Sequence, residues 1–351
     1  MTEATKDRML WHAPHEKPFR LAGFAWFKSD PIYRRLPRKP DDPLPPAVDT
    51  LANCTAGGQI HFQTDSRRIA VRVVLSAPAD MVHMPATGQC GFDIYLGPPC
   101  RETFCTVTKY DRLQSAYESV LVEHEQRGWR HVTLNFPLYQ GVKSVDVGLD
   151  AGARIKAPPP YARPGRVVVY GTSITQGGCA SRPGMAWTNI LSRRLNVEFI
   201  NLGFSGSGRG EPEVARAIAA IPDPALLILD YEANAGPEGL RETLGPFIDI
   251  LRATHPATGI LVVSRIRFAG DRVHEAQRRA RQATLRYQRN AVRRLRALGD
   301  QNVFFQDGSR LLGSRDEEGT VDGVHPNDLG FHDIADGLTP VVRRLLQRKA
   351  S

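Results

Sequence analysis

Between residues 59 and 150 apolar and polar positions alternate in short runs: QIHFQT, RIAVRVVLSA, GFDIYLG, TFCTVTKY, ESVLVEHE, WRHVTLNFP and SVDVGLD. A period of two puts successive side chains on opposite faces of a strand, turn-like clusters separate the runs, and no long helical period intervenes. The stretch predicts an all-β sandwich or jelly roll. AGARIKAPPPYARPG follows, and three consecutive prolines favour extended chain that suits neither a helix interior nor a central strand. It reads as a linker, with the boundary near Pro160.

Beyond the prolines the pattern changes. Unbroken apolar runs, RVVVYG, VEFINLG, ALLILDY, GILVVSRI and NVFFQDG, alternate with helical stretches at 187–195, from about 211, at 240–254, at 272–296 and from near Asn327. Strands apolar on both faces and separated by helices predict a parallel sheet covered on both sides. The expected architecture is therefore a three-layer α/β domain of about five strands over 159–351, preceded by the all-β domain over 1–158. A chain of 351 residues also exceeds what one core usually organises. In open α/β sheets, ligands bind at the carboxyl ends of the strands.

Composition refines this picture in a few places. With 41% hydrophobic and 24% charged residues the chain reads as globular. No apolar stretch has signal-peptide or membrane-spanning length, so a soluble cytoplasmic protein with no membrane partner is expected. Much of the +9 net charge falls in 272–296. There Val273, Ala276, Ala280, Ala283, Tyr287, Ala291, Leu295 and Leu298 recur at helical spacing and leave the arginines on the opposite, solvated face. No nucleic-acid partner is expected, and the sequence leaves the oligomeric state open. The five cysteines, Cys54, Cys90, Cys100, Cys105 and Cys179, form no CxxC pair and read as free thiols. Pairing of Cys100 with Cys105 across a hairpin is the alternative.

Four loops carry unusual polar residues, and all fall at one edge of the expected sheet. GTSITQGG follows the first strand of the second half, so Ser173 sits at a strand-to-helix turn near backbone N–H groups able to hold an oxyanion. The alternative is that Ser173 or Thr175 is a helix N-cap. DGVHPNDLGF sets Asp322 three residues before His325, ahead of the last helix. An imidazole titrating near neutrality can take a serine proton, and a carboxylate can orient the ring. The same pair also fits a helix cap beside a surface histidine, or two metal ligands, but no second ligand cluster appears along the chain. NLGFSGSGRGE and DYEANAG supply glycine N–H groups and the Asn234 amide near the same place. The glycines also fit a flexible turn or a phosphate loop, although the framing of a nucleotide site is missing.

Taken together, over residues 166–345, these segments resemble the sequence blocks of the SGNH/GDSL hydrolase superfamily. The resemblance implies a flavodoxin-like SGNH domain with Ser173 as nucleophile, His325 as its base and Asp322 as the orienting acid. It implies an oxyanion hole made by the N–H groups of Ser173 and Gly206, with Gly203 as a competitor for the latter place, and by the Asn234 amide. Thr172 stands where the family has the aspartate of GDS, and Glu232-Ala233-Asn234-Ala235 replaces GxND, which puts a carboxylate near the oxyanion site. In MPATGQCGFDIYLG, Gly91, Asp93 and Tyr95 resemble the GxDLY-type domain that precedes some members, although FDIYL alternates as any half-buried strand does. That β domain resembles carbohydrate-binding sandwiches. The implied substrate is a small ester, an acetyl or other short acyl group on a carbohydrate or glycoside, cleaved without cofactor or metal. An acyltransferase using the same site, and a non-catalytic carbohydrate-binding protein, are the alternatives.

Overall fold

Ten strands carry the alternating half in the computed structural model, which describes residues 8–314 and 317–348. They are β1 (Met9–His12), β2 (Arg20–Ala22), β3 (Gln59–Thr64), β4 (Arg68–Leu75), β5 (Asp93–Leu96), β6 (Thr103–Val107), β7 (Ala116–Glu123), β8 (Arg130–Asn135), β9 (Val142–Asp150) and β10 (Ile155–Lys156). One antiparallel sheet has the order β1-β9-β4-β7; the other runs β10-β3-β8-β5-β6, with β2 also paired to β3. Along β4, Ile69, Val71, Val73 and Leu75 are buried while Arg72 is exposed, as a period of two requires. Their partners in the sandwich core include Ile60, Phe62, Ile94, Leu134, Val147 and Leu149.

β5 departs from the half-buried pattern, because Asp93, Ile94 and Tyr95 are all buried. Ile94 faces the sandwich core, while Asp93 and Tyr95 bond to Arg182 in the second half. The proline segment is also less of a free linker than its composition predicts. Ile155 and Lys156 extend the sheet, Arg20 donates to Pro159 O at 2.6 Å, and Tyr161 Oη lies 3.2 Å from His61 Nε2.

The second half contains β11 (Arg166–Gly171), β12 (Glu198–Gly203), β13 (Pro224–Asp230), β14 (Ile260–Val263) and β15 (Val303–Gln306), all parallel, in the order β12-β11-β13-β14-β15. The helices in chain order are α1 (Pro46–Leu51), α2 (Ala86–Cys90), α3 (Ser173–Gln176), α4 (Trp187–Leu195), α5 (Pro212–Ala219), α6 (Glu232–Thr254), α7 (Gly270–Val273), α8 (Glu275–Ala297) and α9 (Asp328–Gln347). Val167 and Val169 pack with α4 and α9 on one face; Val168 and Tyr170 pack with α5 and α6 on the other. This is the three-layer arrangement. The strand order turns back on itself at β11, so the crevice expected at such a switch opens at the β11 carboxyl end.

Two helices differ from expectation. α6 begins at Glu232, ahead of the predicted 240, because Gly236 (φ +66°) and Pro237 kink it and its regular apolar face starts only at Leu240. The arginine-rich stretch is broken at His274, and burial on α8 begins only at Thr284, continuing through Leu285, Gln288 and Val292. Val273 and Leu298, expected on the buried stripe, are 74% and 75% exposed, because they lie at the two ends of the stretch, past the buried part of α8. All five cysteines are free. Among the described residues no helix is long and apolar enough to cross a membrane.

Candidate active site

β11 ends at Gly171, and Thr172 turns the chain into α3 by accepting the Ile174 N–H at 3.3 Å. The capping role therefore belongs to Thr172, the residue that departs from GDS. Ser173 becomes the first helical residue, so its N–H lacks an intrahelical acceptor and its hydroxyl is free for another partner. That partner is His325. Ser173 Oγ lies 2.9 Å from His325 Nε2, and His325 Nδ1 lies 2.7 Å from Asp322 Oδ2. With the ring proton on Nδ1 and donated to the carboxylate, Nε2 is the acceptor for the serine hydroxyl.

Asp322 is fixed in turn by two backbone donors: its Oδ1 accepts from Val324 N at 3.0 Å and His325 N at 2.8 Å. Partial burial opposes its charge, but the His325 N–H, the imidazole and the Val324 N–H outweigh it and hold this carboxyl down to about 2. Gly178 is what lets the ring approach. A Cβ there would stand 2.6 Å from Tyr139 Oη, 3.1 Å from Ser173 O and 3.3 Å from His325 Cδ2.

The glycine loop after β12 lies across from this line, tied to it by the Phe204 N–H donating to Gly171 O at 3.0 Å. Gly203 N donates to Asn201 Oδ1 at 3.0 Å and is thereby engaged. Gly206 sits at φ +64°, a left-handed conformation that favours glycine, with nothing within 4 Å of where a Cβ would be. Asn234 Nδ2 donates to Phe204 O at 3.1 Å and to Ser207 O at 3.0 Å, closing the turn that carries Gly206. A polarised hydroxyl, an imidazole to receive its proton and backbone donors nearby form an arrangement able to carry out acyl transfer.

Residues 165–343 match the GDSL-like lipase/acylhydrolase family, and residues 9–155 match the GxDLY family, described as the N-terminus of esterases of the SGNH-hydro type. The chain belongs to the GDSL-like lipase/acylhydrolase family. It is an SGNH-type hydrolase or acyltransferase. A GDSL-like lipase from Bacteroides ovatus is 31% identical, with 98% of this chain and 100% of that one covered and a TM-score of 0.87. A salicylyl-acyltransferase from a tetracycline biosynthetic pathway shares the fold at 20% identity and TM-score 0.74, with 99% of each chain covered. So does a family two carbohydrate esterase from Cellvibrio japonicus, at 16% identity and TM-score 0.62, covering 97% of this chain and 98% of that one. No curated protein sequence matches the chain.

Three residues of this SGNH-type enzyme that the sequence did not single out hold the site together. Gln176, fully buried, accepts from Ser205 N at 3.0 Å and donates to Leu138 O at 3.1 Å, linking the serine helix to the glycine loop and to the β half. Tyr139 Oη donates to Ser173 O at 3.3 Å. Arg35, also fully buried, donates to Gly203 O and Asn201 O at the end of β12. Only Gln176 carries a local signal, its place three residues after Ser173. The Glu232 carboxylate is engaged by protein donors: its Oε2 accepts from Arg265 N at 2.8 Å and Gln288 Nε2 at 2.5 Å. Burial raises its pKa. With Arg265, Phe268, Arg281, Asp322 and Val324 it lines a cleft of about 490 Å³.

Proposed function

We propose that this SGNH-type enzyme is a serine esterase that removes short acyl groups, acetyl first among them, from a carbohydrate or glycoside. The line from Ser173 Oγ through His325 to Asp322, at 2.9 and 2.7 Å, carries the reading. His325 Nε2 takes the hydroxyl proton as Ser173 Oγ attacks the ester carbonyl. The oxyanion is met by the N–H groups of Ser173 and Gly206, and by the Asn234 amide once it exchanges one of its two carbonyl partners for the substrate oxygen. His325 then gives its proton to the leaving alcohol. Water, activated by the same imidazole, releases the acid from Ser173. The sugar preference is supported by the carbohydrate esterases that share the fold, and the same reading assigns sugar contact to a β domain over 1–158 and the chemistry to a catalytic domain over 159–351.

Acetate release from acetylated monosaccharides and from a chromogenic acetyl ester tests this. Ser173→Ala and His325→Ala are each expected to lower kcat by at least about 10³-fold; full activity of Ser173→Ala would sink the scheme. Acyl transfer is the second reading, favoured by the fold shared with the salicylyl-acyltransferase over 99% of both chains. A product ratio that moves from free acid to new ester when a polyol or sugar acceptor is added would select it.

A further inference from the structure

The sequence shows no second ligand cluster near Asp322 and His325, but the fold makes one. His83, in the loop between β4 and α2, and Cys179, three residues past α3, converge on His325, and one ligand atom of each lies within 4.8 Å of the others. The His83 and His325 rings are 5.7 Å apart between centroids. We propose that His83, Cys179 and His325 form a binding site for a zinc-like divalent cation, which switches the enzyme off by occupying the Nε2 lone pair that otherwise receives the serine proton. The effect on activity rests on the role proposed above for His325; the binding does not.

Two imidazole nitrogens and one sulfur are a donor set that favours zinc over the hard, oxygen-seeking magnesium and calcium. Tetrahedral zinc with these ligands needs donor atoms roughly 3.3 to 3.6 Å apart, from its ordinary Zn–N and Zn–S lengths. Closing to that spacing asks for a movement of about 1 Å, and His83 is exposed on a loop that can supply it. Cys179 is the fixed partner. It is buried, and its backbone is held at φ +73°, a left-handed conformation uncommon for a residue with a Cβ.

His325 is already braced as metal-bound histidines are, with its Nδ1–H donating to the Asp322 carboxylate. Burial, with Asp322 adding to it, pushes the Cys179 thiol up to about 12, so it carries its proton in the free enzyme. Cation binding therefore forms the metal–sulfur bond as one proton leaves to solvent. Water fills the fourth position. If Cys179 serves only as a small apolar group in the core beneath α3, its replacement will leave the metal response unchanged.

The test uses the full-length protein, with cobalt(II) as spectroscopic probe and zinc as inhibitor of ester hydrolysis. Stoichiometric cobalt is expected to give a thiolate charge-transfer band that is lost in Cys179→Ala, and an affinity at least about tenfold weaker in His83→Ala. Both variants should keep metal-free hydrolysis and need at least about tenfold more zinc for half inhibition. Absence of the thiolate band in the wild type, or equal zinc inhibition in the wild type and both variants, would overturn the proposal. His83 lies on an exposed loop, so its variant reads the site even if the Cys179 variant folds poorly. Because the cobalt spectrum needs no substrate, failure of the esterase reading and failure of the metal site are separately visible.

Discussion

A serine hydroxyl is a nucleophile only when its proton has somewhere to go, and in the proposed scheme the receiving imidazole is aimed by a carboxylate that two backbone N–H groups hold. The folded value of Asp322, about 2, lies below its ordinary 3.8. A depressed carboxyl contributes stability that is present above the unfolded value and is lost as pH falls through the folded one. The melting-temperature gap between wild type and Asp322→Asn should hold from about pH 7 to about pH 5 and shrink toward about pH 2. A gap independent of pH would show that the aspartate is not held this way. The meeting of Ser173, Asp322 and His325 was legible because each segment is local: GTSIT marks a strand-to-helix turn, and a three-residue spacing joins acid to imidazole. Gln176, Tyr139, Arg35 and His83 were much less so, because their contacts are made across the chain, His83 meeting a ring 242 positions later in sequence.

At the scale of elements, strands were easier to read than helix limits. Runs such as RVVVYG are buried on both faces and announce themselves, whereas the first turn of α6, before Gly236 and Pro237, shows no periodic apolar face and was missed. Gln288 on α8 is buried for a reason no periodicity contains, its bond to Glu232. The carboxyl end of β13 has its own electrostatic signature. Burial pushes Asp230 up to about 7; the Thr175 hydroxyl bonded to it at 2.9 Å opposes the shift, and Glu232 adds to it. A raised folded value means that this group's stability contribution is full below its unfolded value and is lost as pH rises through about 7. Asp230→Asn keeps an acceptor for Thr175, so in chemical denaturation it should gain on the wild type between about pH 5 and about pH 8. An unchanged difference across that range would contradict the assignment.

Across the whole molecule, two residues of the GxDLY-type motif, Asp93 and Tyr95, face the α/β half. Asp93, fully buried, accepts from Asn135 Nδ2 at 2.7 Å, Gly184 N at 2.7 Å and Arg182 at 3.0 Å, and Tyr95 Oη accepts from Arg182 at 2.6 Å. The motif thus fastens the β sandwich to the loop that follows Cys179. Asp93→Ala strands a mostly buried guanidinium and two further donors, and should cost about 3 to 5 kcal/mol in unfolding free energy. Asp93→Asn, which keeps an acceptor, should cost less; equal stability of Asp93→Ala and wild type would refute the latch. The central claim is that this fold activates one serine. Intact-mass measurement of the wild type and Ser173→Ala after treatment with a fluorophosphonate probe tests it most directly. The account predicts a single adduct on the wild type and none on the variant. An unlabelled, correctly folded wild type, or a variant labelled to the same extent, would contradict it.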